Sequence, residues 1–273
     1  LGRVGAPPGA KGGRRMNNRA MELVVNAGQT LLENGSEVSR AQNTMEIMAR
    51  SLGVQGFHVY VLTNGIFASA ESQAAGEAPI SAVRHIPHTS IHLGRVEAVN
   101  ALSRKLAEGA LDLPGAEAEL ARARAMPVYG PRRSLLAGAL GSACFGYLFG
   151  GGVSEVVTAF AAGMLEMLIV QWFARAGVSK VFTDIVGAAA CTALALAAHI
   201  VWGDGYMASQ AIIGALMVLT PGVALTMGIR DLINADYLSG TIRVFDALLV
   251  AGCLACGVAL SYLVANTLLG VPL

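Results

Sequence analysis

Half-way along, at about Ser134, the chain changes its solvent. Residues 134–269 are a succession of apolar runs rich in Ala, Gly, Leu and Val, joined by very short polar segments; residues 1–130 contain no such run. Hydrocarbon offers the backbone no hydrogen-bond partner. Each run must therefore satisfy its own peptide groups in a helix packed on its neighbours. With 54% hydrophobic and 14% charged residues, the chain departs from the soluble norm in the same direction. Work at a bilayer follows, either passage across it or sensing there. Net charge is +1 and no basic stripe interleaves with aromatics, which argues against a nucleic-acid partner.

The first half reads as a compact α+β unit. Residues 1–16 are Gly, Pro and Arg without an apolar core, which reads as a disordered tail and not as a secretory signal. From 17 to 34, Met21, Val24, Val25, Gly28, Leu31 and Leu32 share one helical face, and Gly35 ends that helix. A second helix opens at Ser36 and closes at Gly53. Residues 57–62 and 66–70 are β-rich and flank Thr63-Asn64-Gly65, where the Asn-Gly pair signals a hairpin through its tolerance of positive φ. Residues 71–77 read as a loop, 80–86 as a third strand, and 93–108 and 115–125 as further helices.

In the second half the runs place five spans, at 134–149, 153–173, 181–202, 208–227 and 244–269. The expected fold class is thus a cytosolic α+β domain (17–130) followed by a five-helix transmembrane all-α bundle (131–273). Arg122, Arg124, Arg132 and Arg133 precede the first span, Arg175 and Lys180 follow the second, and Arg230 and Arg243 flank the joint before the fifth. Joints 150–152 and 203–207 carry no Lys or Arg. Positive charge inside puts the soluble domain in the cytoplasm and the C-terminus outside. Small residues at four-residue spacing mark close helix approach: Ser142, Gly146 and Gly150; Ala159 and Gly163; Gly187, Cys191 and Ala195; Ala251, Ala255 and Ala259.

Polar groups inside apolar runs carry the functional reading. Glu166 lies roughly 20 Å from the outer end of its helix, at about 1.5 Å per residue. An ionised carboxylate there is costly unless it is paired, protonated or wet, so it marks a proton or substrate site or a structural hydrogen bond. Thr220-Pro221-Gly222 interrupts the fourth run. Pro221 has no N–H and releases the carbonyl of Met217, giving either a discontinuous-helix site at the depth of Glu166 or a plain kink. Asp184 reads as a substrate-path acid or as a first-turn complement to its helix dipole. Arg230, Asp231, Asn234 and Arg243 form a polar set at the inner joint, where solvated caps are the ordinary reading.

Other constellations point nowhere specific. His85, His88 and His92 have ligand-like spacing, but Pro87 breaks the run and no cysteine joins them; no metal site and no cofactor are assigned. Cys144, Cys191, Cys253 and Cys256 all lie in apolar runs, as small packing residues do. No nucleophile elbow, phosphate loop or metalloprotease motif is present, so the chain is not read as an enzyme.

Two stretches resemble a known family. Leu31-Leu32-Glu33-Asn34-Gly35-Ser36-Glu37-Val38-Ser39-Arg40, followed by residues 49–54 and the 63–66 hairpin, is similar to the N-terminal domain of the threonine/serine exporters. Leu219-Thr220-Pro221-Gly222-Val223, with Arg230-Asp231 and Tyr237-Leu238-Ser239-Gly240, resembles the same family's membrane motif. The resemblance runs from about Asn17 to the end of the chain. It implies a proton-driven exporter of small polar metabolites, either threonine and serine or succinate-like dicarboxylates, in the bacterial inner membrane. It also implies a second, smaller polytopic membrane subunit, and the chain looks like the split form of the pair; a homo-oligomer stays open. In that reading Glu166 carries protons, Thr220 and the broken helix contact substrate, and Asp184 helps from the inner side. The alternative is a membrane-anchored sensor whose soluble domain binds a metabolite without transport.

Overall fold

The structure, a computed structural model, describes residues 8–72, 78–87 and 89–269. Its backbone is 71% helical, with ten helices and one three-stranded sheet among the described residues. Two compact units emerge: Leu1–Val128 with Met227–Arg243, and Tyr129–Thr226 with Val244–Leu273. This overturns the expected fold class. The chain is not an α+β domain followed by five continuous spans, because one unit draws on both halves of the sequence and, among the described residues, three helices are long and apolar enough to cross a membrane.

In the first unit, α1 (Pro8–Glu33) and α2 (Val38–Ser51) form a helical pair joined at Gly35, whose φ is +86°. Helix α1 begins at Pro8, so part of the expected tail is helical; residues 1–7 lie outside the described residues. Met21, Val24, Val25, Leu31 and Leu32 are buried as their spacing requires. Gly28 sits directly under Met45, and a side chain there would overlap it. Strands β1 (His58–Leu62), β2 (Gly65–Ala70) and β3 (Ile80–His85) form an antiparallel meander. Ile66, Ala68 and Ala70 face the core, while Tyr60, Phe67 and Val83 align across the exposed face. Helices α3 (Leu93–Ala107) and α4 (Leu113–Arg124) complete the core through Val99, Leu102, Ala116 and Leu120.

The hairpin stands where Asn64-Gly65 signalled it, but for a different reason. Neither residue has positive φ. Gly65 is already a strand residue opposite Leu62 and His85, and a Cβ there would lie 3.3 Å from the Arg84 carbonyl oxygen. Close strand approach, not turn conformation, selects glycine. The expected loop at 71–77 falls largely on residues 73–77, outside the described residues.

In the second unit, α5 (Pro131–Leu148), α6 (Val153–Arg175), α7 (Lys180–Trp202) and α8 (Ala208–Leu216) pack on one another. Helices α9 (Gly222–Ile233) and α10 (Tyr237–Leu269) each begin or end in the other unit. The apolar helices of spanning length are α6, α7 and α10. Helix α5 opens on Arg132-Arg133 and is less apolar, and the expected fourth span is two short helices divided at Met217–Pro221. Most small-residue stripes do the packing expected of them: Gly163 takes the Ser142 side chain, and Gly214 lies on the backbone of Gly146. The last stripe is a correction. Ala251, Ala255 and Ala259 are exposed, and α10 buries Val250, Cys253, Leu254 and Gly257 instead. Gly257 lies against the Ile185 carbonyl, and Ser261 Oγ donates to Ala189 O at 2.7 Å, so α10 meets α7 along that face.

Gly214→Ala would place a Cβ 2.6 Å from Gly146 Cα, whereas Gly252→Ala meets nothing within 4 Å. Thermal unfolding in detergent should show Gly214→Ala destabilised by about 1–3 kcal/mol, as overpacking against rigid backbone requires, with Gly252→Ala near parent.

Candidate functional site

Helix α8 stops at Leu216 because Pro221 cannot continue the ladder. The N–H groups of Leu219 and Thr220 both turn back to Leu216 O, at 3.0 and 3.1 Å. The Met217 carbonyl that the proline releases accepts from Thr220 Oγ1 at 2.6 Å. Thr220 therefore closes its own turn and its proton is committed there. Among the described residues the carbonyls of Val218 and Leu219 accept no hydrogen bond. The segment is a helix break, more than a kink. Thr220 and Gly222 are exposed, and Pro221 is half-buried.

Glu166 is fully buried on α6, and neither carboxylate oxygen has a hydrogen-bond partner. Gly187 on α7 makes room for it. A Cβ on Gly187 would lie 3.7 Å from Glu166 Cγ and 4.0 Å from Leu219 Cδ1. The acid, the glycine and the first residues of the helix break thus share one neighbourhood. Asp184, one turn before Gly187 on the same side of α7, is 4% exposed, and its Oδ2 also lacks a partner. It lies within electrostatic reach of Glu166. Lys180 and Asp246 lie within reach of Asp184 in turn. The dipole reading of Asp184 is corrected: the first turn of α7 holds no acid, and Asp184 stands beyond it. Cys191 Sγ donates to Ala162 O at 3.2 Å, one turn from Glu166, which makes it a packing residue of this site.

The polar set of the α9–α10 joint belongs to the first unit. Arg230 Nη1 donates to Glu37 Oε1 at 2.7 Å, and Arg243 Nη2 donates to Ser36 O at 3.2 Å. Arg243 Nε lies 3.4 Å from Asp231 Oδ2, with Asp231 1% exposed. Gly240 lets α10 cross α9, since a Cβ there would lie 2.8 Å from Leu232 N and 2.9 Å from Gly228 O. Asn234 is exposed in the connecting turn. The Asn-Gly-Ser-Glu corner after α1 and the Arg-Asp motif of α9 are therefore held together, about which spacing alone is silent. Burial pushes the Asp231 carboxyl above its ordinary range, and Arg243 opposes that shift.

One site residue carries no advance signal. Glu155, at the start of α6, is 3% exposed; its Oε1 accepts from Met207 N at 2.8 Å and its Oε2 from Ser154 Oγ at 2.8 Å. It anchors the α8 N-terminus to α6. Its position in the first turn reads as an ordinary dipole complement, so only tertiary structure reveals the second helix it serves. His92 is likewise structural: its Nδ1 accepts from Arg95 N at 3.2 Å and caps α3. His88 lies outside the described residues, and among those described no three His, Cys, Asp or Glu converge as a metal site.

Arg243→Met leaves Asp231 buried and unpaired, and should cost about 3 kcal/mol by chemical denaturation. Asp231→Asn added to it should recover part of that loss. The sign of the pH dependence follows from a raised folded pKa. The protonated acid is the form the fold favours, so the Arg243→Met defect should be largest near neutral pH and shrink as pH falls towards the protonation of Asp231.

The threonine/serine exporter family, ThrE, matches residues 22–264. Among curated proteins the chain is similar to a threonine/serine exporter of Corynebacterium glutamicum, with 23% identity over 244 residues, covering 88% of this chain and 50% of that protein. The chain thus spans about half the length of the curated relative it matches. No solved structure matches it. With nearly its whole length inside the family's profile, the chain belongs to the threonine/serine exporter family.

Proposed function

We propose that this chain is one component of a proton-coupled secondary exporter of small polar metabolites, with a second, smaller membrane subunit as its partner. The observation that carries the reading is Glu166: a carboxylate with no exposed surface and no hydrogen-bond partner, set beside Gly187 and the α8–α9 break. An acid kept in such a place stabilises nothing by itself. A proton, or the ammonium of a substrate, would satisfy it, and the neighbouring break holds two open carbonyls, those of Val218 and Leu219. Threonine and serine fit better than succinate, because the Lys and Arg residues of α6 and α7 stand only at the helix ends, as Arg175 and Lys180, and leave a dicarboxylate without a deep partner.

The unit that holds Arg230 and Arg243 is assigned to the cytoplasm by positive charge near helix ends, with Arg175 and Lys180 on the same side. The joint around Gly205, free of Lys and Arg, faces outward, as does the C-terminal end of α10. A reporter fused at Gly205 should be active outside the cell, and a cytoplasmic signal there reverses the orientation.

In proteoliposomes containing both subunits, an imposed pH gradient should drive labelled threonine flux. Glu166→Gln should reduce gradient-driven flux at least about tenfold, equivalent to 1.4 kcal/mol, while sparing exchange of labelled for unlabelled threonine. Full gradient-driven flux in that variant removes the protonation role.

A further inference from the structure

A cleft of about 570 Å³ opens in the first unit, between α2, β1 and the α9–α10 turn. Its size is that of a small-molecule site. Its chemistry is one-sided. Glu46 and Asp236 line it, with no Lys, Arg or His. Glu46 Oε1 accepts from Gln42 Nε2 at 3.1 Å, and Gln42 lines the same cleft, so the carboxylate is held on that side. Asp236 Oδ1 accepts weakly from Ser239 N at 3.4 Å in the first turn of α10; its other oxygen has no partner among the described residues. Tyr60 and Tyr237 add aromatic surface, 57% and 68% exposed. Asn43 and Asn234 supply uncommitted amides.

Carboxylates, aromatic faces and amides without a balancing cation select a positively charged organic group. We propose that this cleft is an effector site for small organic ammonium compounds, distinct from the Glu166 neighbourhood and independent of the export reading. The ammonium binds at Glu46 and Asp236, the tyrosine faces pack against its carbon skeleton, and Asn43 and Asn234 hydrogen-bond its polar substituents. A carboxylate on the ligand would find no partner, so the site prefers an amine to the corresponding amino acid. Because one wall is the turn between α9 and α10, an occupied cleft ties that turn to α2.

The test is calorimetric titration of the full chain in lipid nanodiscs with three probes of one skeleton: threoninamide, threonine and N-acetylthreonine. Binding should rank cation over zwitterion over anion. Glu46→Gln and Asp236→Asn, which keep the side-chain shape and one acceptor oxygen and remove the charge, should each weaken threoninamide about tenfold. Asn43→Lys, at an exposed α2 position, should reverse the ranking in favour of N-acetylthreonine. The proposal is overturned by absence of threoninamide binding, by equal binding of the three probes, or by full binding in Asp236→Asn, which would move the site away from this cleft. Failure of the export experiment with the titration result intact would leave the cleft standing.

Discussion

In hydrocarbon every peptide group must find its partner within the chain, and the second unit is organised by where that rule is met and where it lapses. Helices α6, α7 and α10 meet it throughout. Packing is then left to small residues, because lipid supplies no hydrophobic drive between helices. Gly163, Gly214 and Gly257 bring backbones close enough that any side chain would collide. The rule lapses in the Met217–Pro221 segment. Thr220 answers part of the deficit by bonding the Met217 carbonyl, and the Val218 and Leu219 carbonyls stay open. Glu166 and Leu219 both approach the open side of Gly187. A protein that leaves polar groups uncompensated at neighbouring positions in apolar surroundings has lowered its own stability there, and binding at the site would recover the difference.

The first unit solves a different problem. Its core is an ordinary packed interior, but a stretch from late in the chain completes it. Arg230 reaches Glu37 and Arg243 reaches the Ser36 carbonyl, pairings separated by 193 and 207 residues. The Arg230 pair is open to water and is worth little by itself. Arg243 matters more, since it faces a nearly inaccessible Asp231 that would otherwise be stranded. Gly240, seated against Leu232 N and Gly228 O, permits the helix crossing that puts both arginines in reach. The corner after α1 and the polar joint are one structural element assembled from two sequence motifs.

Much was legible beforehand because the signals are local. The 3.6-residue spacing of Met21, Val24, Val25, Leu31 and Leu32 named the buried face of α1, and the meander followed from β-rich runs bounded by turn residues. Where local patterns were ambiguous, reading failed. Helix α10 has small residues on more than one face, and the wrong one was chosen, because exposure depends on where α7 lies. The five-span count failed because the break at Pro221, legible as such, divides the fourth run into two helices each too short to span, and because α5 is less apolar.

By itself the sequence determined the apolar character of the later helices, the helical faces of the first unit, the break at Pro221 and the isolation of Glu166. All are properties of neighbours along the chain, set by periodicity, by a missing N–H and by the energetics of charge in an apolar run. Only tertiary structure decided that Glu166, Gly187 and Leu219 meet, that Glu155 serves two helices, and that residues 227–243 belong with the first 128. Those facts rest on contacts between residues far apart in sequence. Such contacts depend on which backbones can approach, and no single segment carries that information.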